Sequence, residues 1–168
     1  MKAYCLPGPG QDLELMDIPI PALSPNEVLV RMRAFGVGLH DRYTIPGGVT
    51  FPYPIGVEGA GVVATIGNAV SNCQIGDRVM FSGLHQKGGT WAEYASIDAQ
   101  MLMPMPDGLD FPEAAALPVA GTTALAGVSA LQLTKGDSVF IAGASGAIGT
   151  IAIQLAARRG YRVAASSS

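Results

Sequence analysis

Charge is scarce in this sequence. Charged residues make up 14% of the 168, and the net charge is −3. Such a chain has no basic footprint for nucleic acid. No run of like charge forms an interaction tail. Cysteine is scarcer still. Cys5 and Cys73 are too few for a disulfide framework, and nothing in the sequence places them together. No unbroken apolar stretch of a signal peptide follows Met1, because Pro7, Pro9, Asp12 and Glu14 interrupt it. A reducing cytoplasm is the expected location. The histidines are His40 and His85 alone. No repeat at a period of about 20–50 residues is present, which excludes a solenoid.

What is abundant is apolar surface and glycine. Apolar residues make up 49% of the chain, and there are 22 glycines. That is enough for a packed core, with about 70% of the unfolded surface buried. Residues 114–133 and 138–157 carry no charge, and each has the ~20 residues needed to span a bilayer. The first holds Pro118, Gly121, Thr122 and Thr123. The second breaks at Gly143–Gly149. Both are rich in Ala and Gly rather than Leu, so a buried core is favoured over a membrane hairpin.

Up to about residue 105 the chain reads as short strands and turns, the pattern of a β-rich barrel or sandwich. The strand segments are "KAYCL", "LELMDIPI", "EVLVRMRAFGV", "GAGVVATIG", "DRVMF" and "WAEYASI". The pattern then changes. Asp110 and Glu113 have the spacing of a capping box, and Pro112 suits a first helical turn. A helical run is expected to Leu133, broken or re-aimed around Pro118 and Gly121. "KGD" is a turn. "SVFIA" reads as a strand buried on both faces. Ile148, Ile151, Ala152, Leu155 and Ala156 repeat at helical spacing. Gly160 ends that helix, and "YRVAA" is the next strand. The order is one βαβ unit, so the fold class is mixed α/β. The expected boundaries are 1–118 and 119–168.

Gly143, Gly146 and Gly149 lie between the first strand of that unit and its helix, at G-x-x-G-x-x-G spacing. Glycines there permit a sharp turn and close approach of a pyrophosphate, and the helix N-terminus favours the anion. The plain alternative is glycines that only pack helix on strand. In the βαβ frame the turn Gly143, Ala144, Ser145, Gly146, Ala147, Ile148, Gly149 reads as a dinucleotide site. NAD-type sites place a carboxylate at the end of the second strand, on the ribose 2′-OH. Here that end is Ala165, Ser166, Ser167 and Ser168. With no acid to repel a 2′-phosphate, and with Ser166 and Ser167 able to donate to it, NADPH is the expected cofactor.

"EVLVRMRAFGVGLHDRY", "PYPIGVEGAGVVATIG", "IGDRVMF", "GGTWAEYA", "AAALPVAGTTAL" and "GASGAIG" resemble, in order and spacing, the medium-chain dehydrogenase/reductase superfamily. The resemblance implies a GroES-like β-rich catalytic domain followed by a Rossmann domain, with the active site between them. It also implies where zinc would sit in the zinc-dependent members. Gly38 and Val57 stand where those enzymes have a cysteine and a histidine, and "FSGLHQKGGTW" lacks the cysteines of their structural lobe. Neither glycine nor valine can ligate zinc, so no metal is expected. Glu58 cannot hold one alone. His40 is expected in an exposed, structural or capping role.

The resemblance points to the zinc-free branch of quinone oxidoreductases and enoyl reductases. Asp41 and Tyr43 match its pattern, while an asparagine commonly stands where this chain has Gly38. The implied chemistry is hydride transfer from NADPH to a quinone or an activated alkene or carbonyl. Tyr43 is the candidate donor to the developing oxyanion, or else an aromatic wall of the pocket. Thr123 is expected near the cofactor. Asp41 is read as a cap, and Trp91 and Tyr94 as strand packing. Alternatives are an enoyl-thioester reductase of the same branch and a non-catalytic binding module on this fold. The expected partners are a small-molecule substrate and a second copy in a homodimer. Only two strands of the Rossmann sheet are readable, so the chain is expected to be truncated and inactive alone.

Overall fold

The computed structural model describes residues 1–42, 45, 47–83 and 89–167. They form two compact units, Met1–Ala116 and Leu117–Ser168.

In the first unit β-branched and apolar residues alternate with polar ones, so strands form with one face buried. Strands β1 (Lys2–Leu6), β2 (Glu14–Asp17) and β4 (Tyr53–Pro54) make a three-stranded sheet in the order β2-β1-β4. Strands β3 (Glu27–Phe35), β5 (Glu58–Ile66), β6 (Arg78–Ser82), β7 (Tyr94–Asp98) and β8 (Leu102–Pro104) make a five-stranded antiparallel sheet in the order β7-β3-β5-β6-β8. Val28, Val30, Val63, Val79, Phe81, Ala95, Ile97 and Ala99 fill its main core. Full burial of a side chain such as Phe81 contributes about 1.5–3 kcal/mol.

Register shifts interrupt the β3–β5 ladder at Leu29/Val30 and Met32/Ala34. After the second, Ala34 joins Ala60, Met80, Ala114 and Phe111 in a separate cluster, whereas Met32 packs with the first. An unbroken strand would have kept residues two apart on one face. Helix α1 (Phe111–Ala115) supplies the cover on that side and carries both halves of the expected capping box.

Several strand expectations are trimmed. "LELMDIPI" is a strand only over Glu14–Asp17; Ile18 still exchanges two backbone hydrogen bonds with Met1, and Pro19 has no N–H to carry the ladder further. In "WAEYASI" the strand starts at Tyr94, and Ala92 makes only an isolated bridge to Ala3. Trp91 packs as expected, stacked on Phe35 at 5.7 Å and edge-on to Tyr4 at 6.5 Å.

In the second unit the apolar run does break before Pro118, which opens α2 (Pro118–Ala130). Gly121 lies inside α2 and breaks nothing. β9 (Ser138–Ile141), α3 (Ala147–Arg158) and β10 (Arg162–Ala165) follow, and β9 pairs parallel with β10. Ala124 and Val128 of α2 meet Ala152 and Ala156 of α3, with Val139, Ile141, Leu155 and Val163 packed around them. β9 is not buried on both faces. Ser138 and Phe140 are exposed, Phe140 at 66%, while Val139 and Ile141 are half-buried. Within this unit the helices cover one side of the two-stranded sheet, and nothing among its described residues covers the other. Ile148, in the first turn of α3, also stays exposed. No helix among the described residues is long and apolar enough to cross a membrane.

Candidate functional site

The glycine turn is built by backbone contacts that its sequence permits. Gly143 has φ +67°, the left-handed region that glycine adopts without strain. Gly146 N donates to Gly143 O at 3.1 Å, closing the turn. Gly149 is buried, and a Cβ there would collide with Gly143 O and stand 2.7 Å from Ala144 Cα. Helix and turn can therefore touch only because position 149 lacks a side chain. Thr150 fastens the junction, its N–H donating to Gly146 O at 2.9 Å and its hydroxyl to Ala144 O at 3.3 Å.

Helix α3 starts with Gly146 as N-cap, with no side-chain cap and no acidic residue in its first turn. The N–H groups of Ala147, Ile148 and Gly149 have no intrahelical acceptor. The helix dipole leaves positive potential beside them. These residues fit an anionic pyrophosphate: a close-approach turn, uncapped donors and no competing carboxylate. The β10 end is tied to the same place. Ala144 N donates to Ser166 O at 2.9 Å, and Ser166 N donates to Ile141 O at 3.1 Å. Ser145, Ser166 and Ser167 are exposed. The structure thus brings Ser166 beside Ala144. Thr123 is exposed on α2, and no hydrogen bond among the described residues joins it to the turn.

A second locus lies in the first unit, after β3. A single 3-10 turn spans Leu39–Arg42. Asp41 Oδ2 accepts from Gly38 N at 2.7 Å, the reach-back half of a capping box. The expected cap is therefore present, made from inside the turn. Asp41 is 4% exposed. His40 Nε2 stands 3.7 Å from its Oδ1. The imidazole covers Gly38: a Cβ there would collide with His40 Cε1 and lie 2.5 Å from Nδ1. Glu58 is buried and its carboxylate packs over Gly36 in the same manner. Val57 is buried too. Among the described residues no group of three or more His, Cys, Asp or Glu could hold a metal ion. Tyr43 and His85 lie outside the described residues.

The relation of His40 to Gly38 was not legible in the sequence. Its only signal was a histidine two residues beyond a glycine that lacks the expected side chain.

Residues 24–107 match the alcohol dehydrogenase GroES-like domain. The chain belongs to this family. With it comes membership of the medium-chain dehydrogenase/reductase superfamily, as the solved relatives of this GroES-like chain show. The quinone oxidoreductase from Coxiella burnetii superposes with a TM-score of 0.88 at 32% identity, covering 100% of this chain and 56% of that one. The quinone oxidoreductase from Thermus thermophilus, described together with its complex with NADPH, gives 0.82 at 34%, covering 100% and 54%. Among curated proteins, the trans-enoyl reductase tazE of Aspergillus terreus is 33% identical over 187 residues, which cover 99% of this chain and 62% of that protein. The chain thus spans little more than half the length of these oxidoreductase relatives.

Proposed function

We propose that the chain is the catalytic-domain and first cofactor-binding portion of an NADPH-dependent, zinc-independent reductase. Its acceptor is a quinone or an activated alkene or carbonyl. The observation that carries this reading is the uncapped start of α3, closed onto Gly143–Gly149. Bound there, NADPH would supply the hydride. The chain's own residues hold it: the N–H groups of Ala147, Ile148 and Gly149 take the pyrophosphate, and the Ser166 and Ser167 hydroxyls take the 2′-phosphate. Thr123 is assigned a contact to the same cofactor. Tyr43 is assigned the donor to the developing oxyanion. Zinc independence rests on Gly38 and Val57, neither of which has a ligand atom.

Turnover is assigned to a protein of the relatives' full length, and cofactor binding to these 168 residues. The assembly is taken to be a homodimer and the location cytoplasmic, in keeping with Cys5 and Cys73 as free thiols.

The test uses the half of the cofactor that a first βαβ unit holds. Calorimetric titration of the chain with adenosine 2′,5′-bisphosphate is expected to show tighter binding than with 5′-AMP. A charged hydrogen bond of about 1.5–3 kcal/mol sets the difference at about 10- to 100-fold. Absence of binding by either nucleotide overturns the reading and favours a non-catalytic module. The name of the Aspergillus terreus relative supports a second reading, an enoyl-thioester reductase. A full-length protein that reduces an enoyl thioester and not a quinone would establish it.

A further inference from the structure

Gly36 is where the chain leaves β3, and both of its backbone polar groups are bonded to other segments. Its N–H donates to Glu58 O of β5 at 3.2 Å. Its carbonyl accepts from the Trp91 indole Nε1–H at 2.9 Å. On the β7 side, backbone pairing stops short of this point. The bond from Met32 N to Glu93 O, at 2.9 Å, is the last that the two backbones make among the described residues. The indole thus supplies one more rung from a side chain. It can do so because the ring is itself fixed. Trp91 N donates to Ile55 O at 2.9 Å, and Trp91 O accepts from Tyr4 N at 2.8 Å. The ring stacks on Phe35, and its Cδ1 lies where a Cβ on Gly56 would stand. Indole nitrogen is a donor only, so this N–H has one task, which is to hold the Gly36 carbonyl.

Beyond Gly36 the side chains of Val37 and Leu39 are 72% and 82% exposed. They alternate with half-buried Gly36, Gly38 and His40. Gly38 N is tied back to Asp41 Oδ2 at 2.7 Å. The segment is therefore anchored through its two glycines and shows its apolar side chains outward. We propose that Trp91 is a positioning residue of the acceptor site: its bond to Gly36 O holds the 36–41 segment so that Val37 and Leu39 present an apolar edge to the acceptor ring. The inference rests on the reductase reading for its ligand class, a planar quinone or enone. Preset geometry of this kind spares the ligand the cost of ordering the segment.

The chain has one tryptophan, so that residue can be replaced throughout by an analogue of the same shape. Benzothienylalanine keeps the fused ring and its stacking but has no N–H, whereas 7-azatryptophan keeps the N–H. The probe is 9,10-anthraquinone-2-sulfonate, which has no ring position open to ready addition by Cys73. The readout is the amide NMR shift of Val37 and Leu39 during titration of the 168-residue chain. Saturable shifts at both amides are expected in the wild type. The benzothienyl chain should bind about 3- to 10-fold more weakly, the loss of one hydrogen bond, and the azatryptophan chain within twofold of wild type. A role in packing alone would leave the benzothienyl chain unchanged. Leu39→Ser, at an exposed position, should weaken binding about 4- to 15-fold, equivalent to one or two buried methylene groups. Thermal unfolding of each chain separates loss of binding from loss of fold, and Leu39→Ser still decides the matter where the benzothienyl chain does not fold. No saturable shift at Val37 and Leu39, or an affinity within twofold of wild type for a folded benzothienyl chain or for Leu39→Ser, overturns the proposal. Binding of adenosine 2′,5′-bisphosphate is measured alongside. A chain that binds the nucleotide but ignores the quinone refutes the role of Trp91 alone, and a chain that binds neither refutes the reductase reading as well.

Discussion

Gly149→Ala is the sharpest perturbation of the cofactor turn, because one methyl group is enough. Its Cβ would collide with Gly143 O and come within 2.7 Å of Ala144 Cα. Both obstacles are backbone, so no side chain can swing away. The helix must move off the turn by several tenths of an ångström. Overpacking of this kind costs about 1–3 kcal/mol. Gly146→Ala is the matched control. Its φ is −74°, open to any residue, and its Cβ would meet only Gly143 O at 3.4 Å. That is ordinary contact, so the change is limited to the poorer N-cap that Ala makes than Gly, a few tenths to about 1 kcal/mol. The assay is native-state hydrogen exchange of the α3 amides, which reads the second unit by itself. Protection in α3 should fall about 5- to 150-fold in Gly149→Ala and no more than about 5-fold in Gly146→Ala. Equal loss in both variants, or none in Gly149→Ala, would refute close packing at 149 as the reason for its glycine.

Other expectations follow from single contacts. Asp110→Ala removes the side chain that accepts from Glu113 N at 2.8 Å and should cost about 0.5–2 kcal/mol in urea unfolding. Ser166→Asp places a carboxylate beside Ala144 and should reverse the calorimetric preference, from adenosine 2′,5′-bisphosphate to 5′-AMP. Hydrogen bonds from the Thr134 N–H and hydroxyl hold the Asp137 carboxyl below its ordinary 3.8. A depressed folded-state pKa stabilises above the unfolded value and loses that contribution as pH falls through the folded one. The acid limb of stability below about pH 4 should therefore be shallower in Asp137→Asn than in wild type when unfolding is followed against pH. Purified protein should hold no stoichiometric zinc by elemental analysis; one tightly bound zinc per chain would remove the argument from Gly38 and Val57.

The features legible in the sequence are those whose physics is local. Asp110 and Glu113 are three residues apart on one turn, so spacing alone announces their reciprocal bonds. Gly143, Gly146 and Gly149 sit between a strand and a helix, and that order is enough to read a βαβ unit. The ordered motifs from "EVLVRMRAFGVGLHDRY" to "GASGAIG" were enough for the superfamily. Tertiary structure decided what depends on faces and on neighbours. The bulge in β3 sends Ala34 to a different cluster from Met32, although period-two reasoning puts them together. Phe140 is exposed because cover is a property of the assembled layers, not of an apolar run. Ser166 reaches Ala144 only through the parallel pairing of β9 with β10. His40 takes the place of a side chain at Gly38 because a 3-10 turn folds residue 40 back over residue 38, anchored by Asp41. Spacing along a chain specifies which groups can meet within one turn of backbone, whereas only packing decides which surface a ring comes to cover.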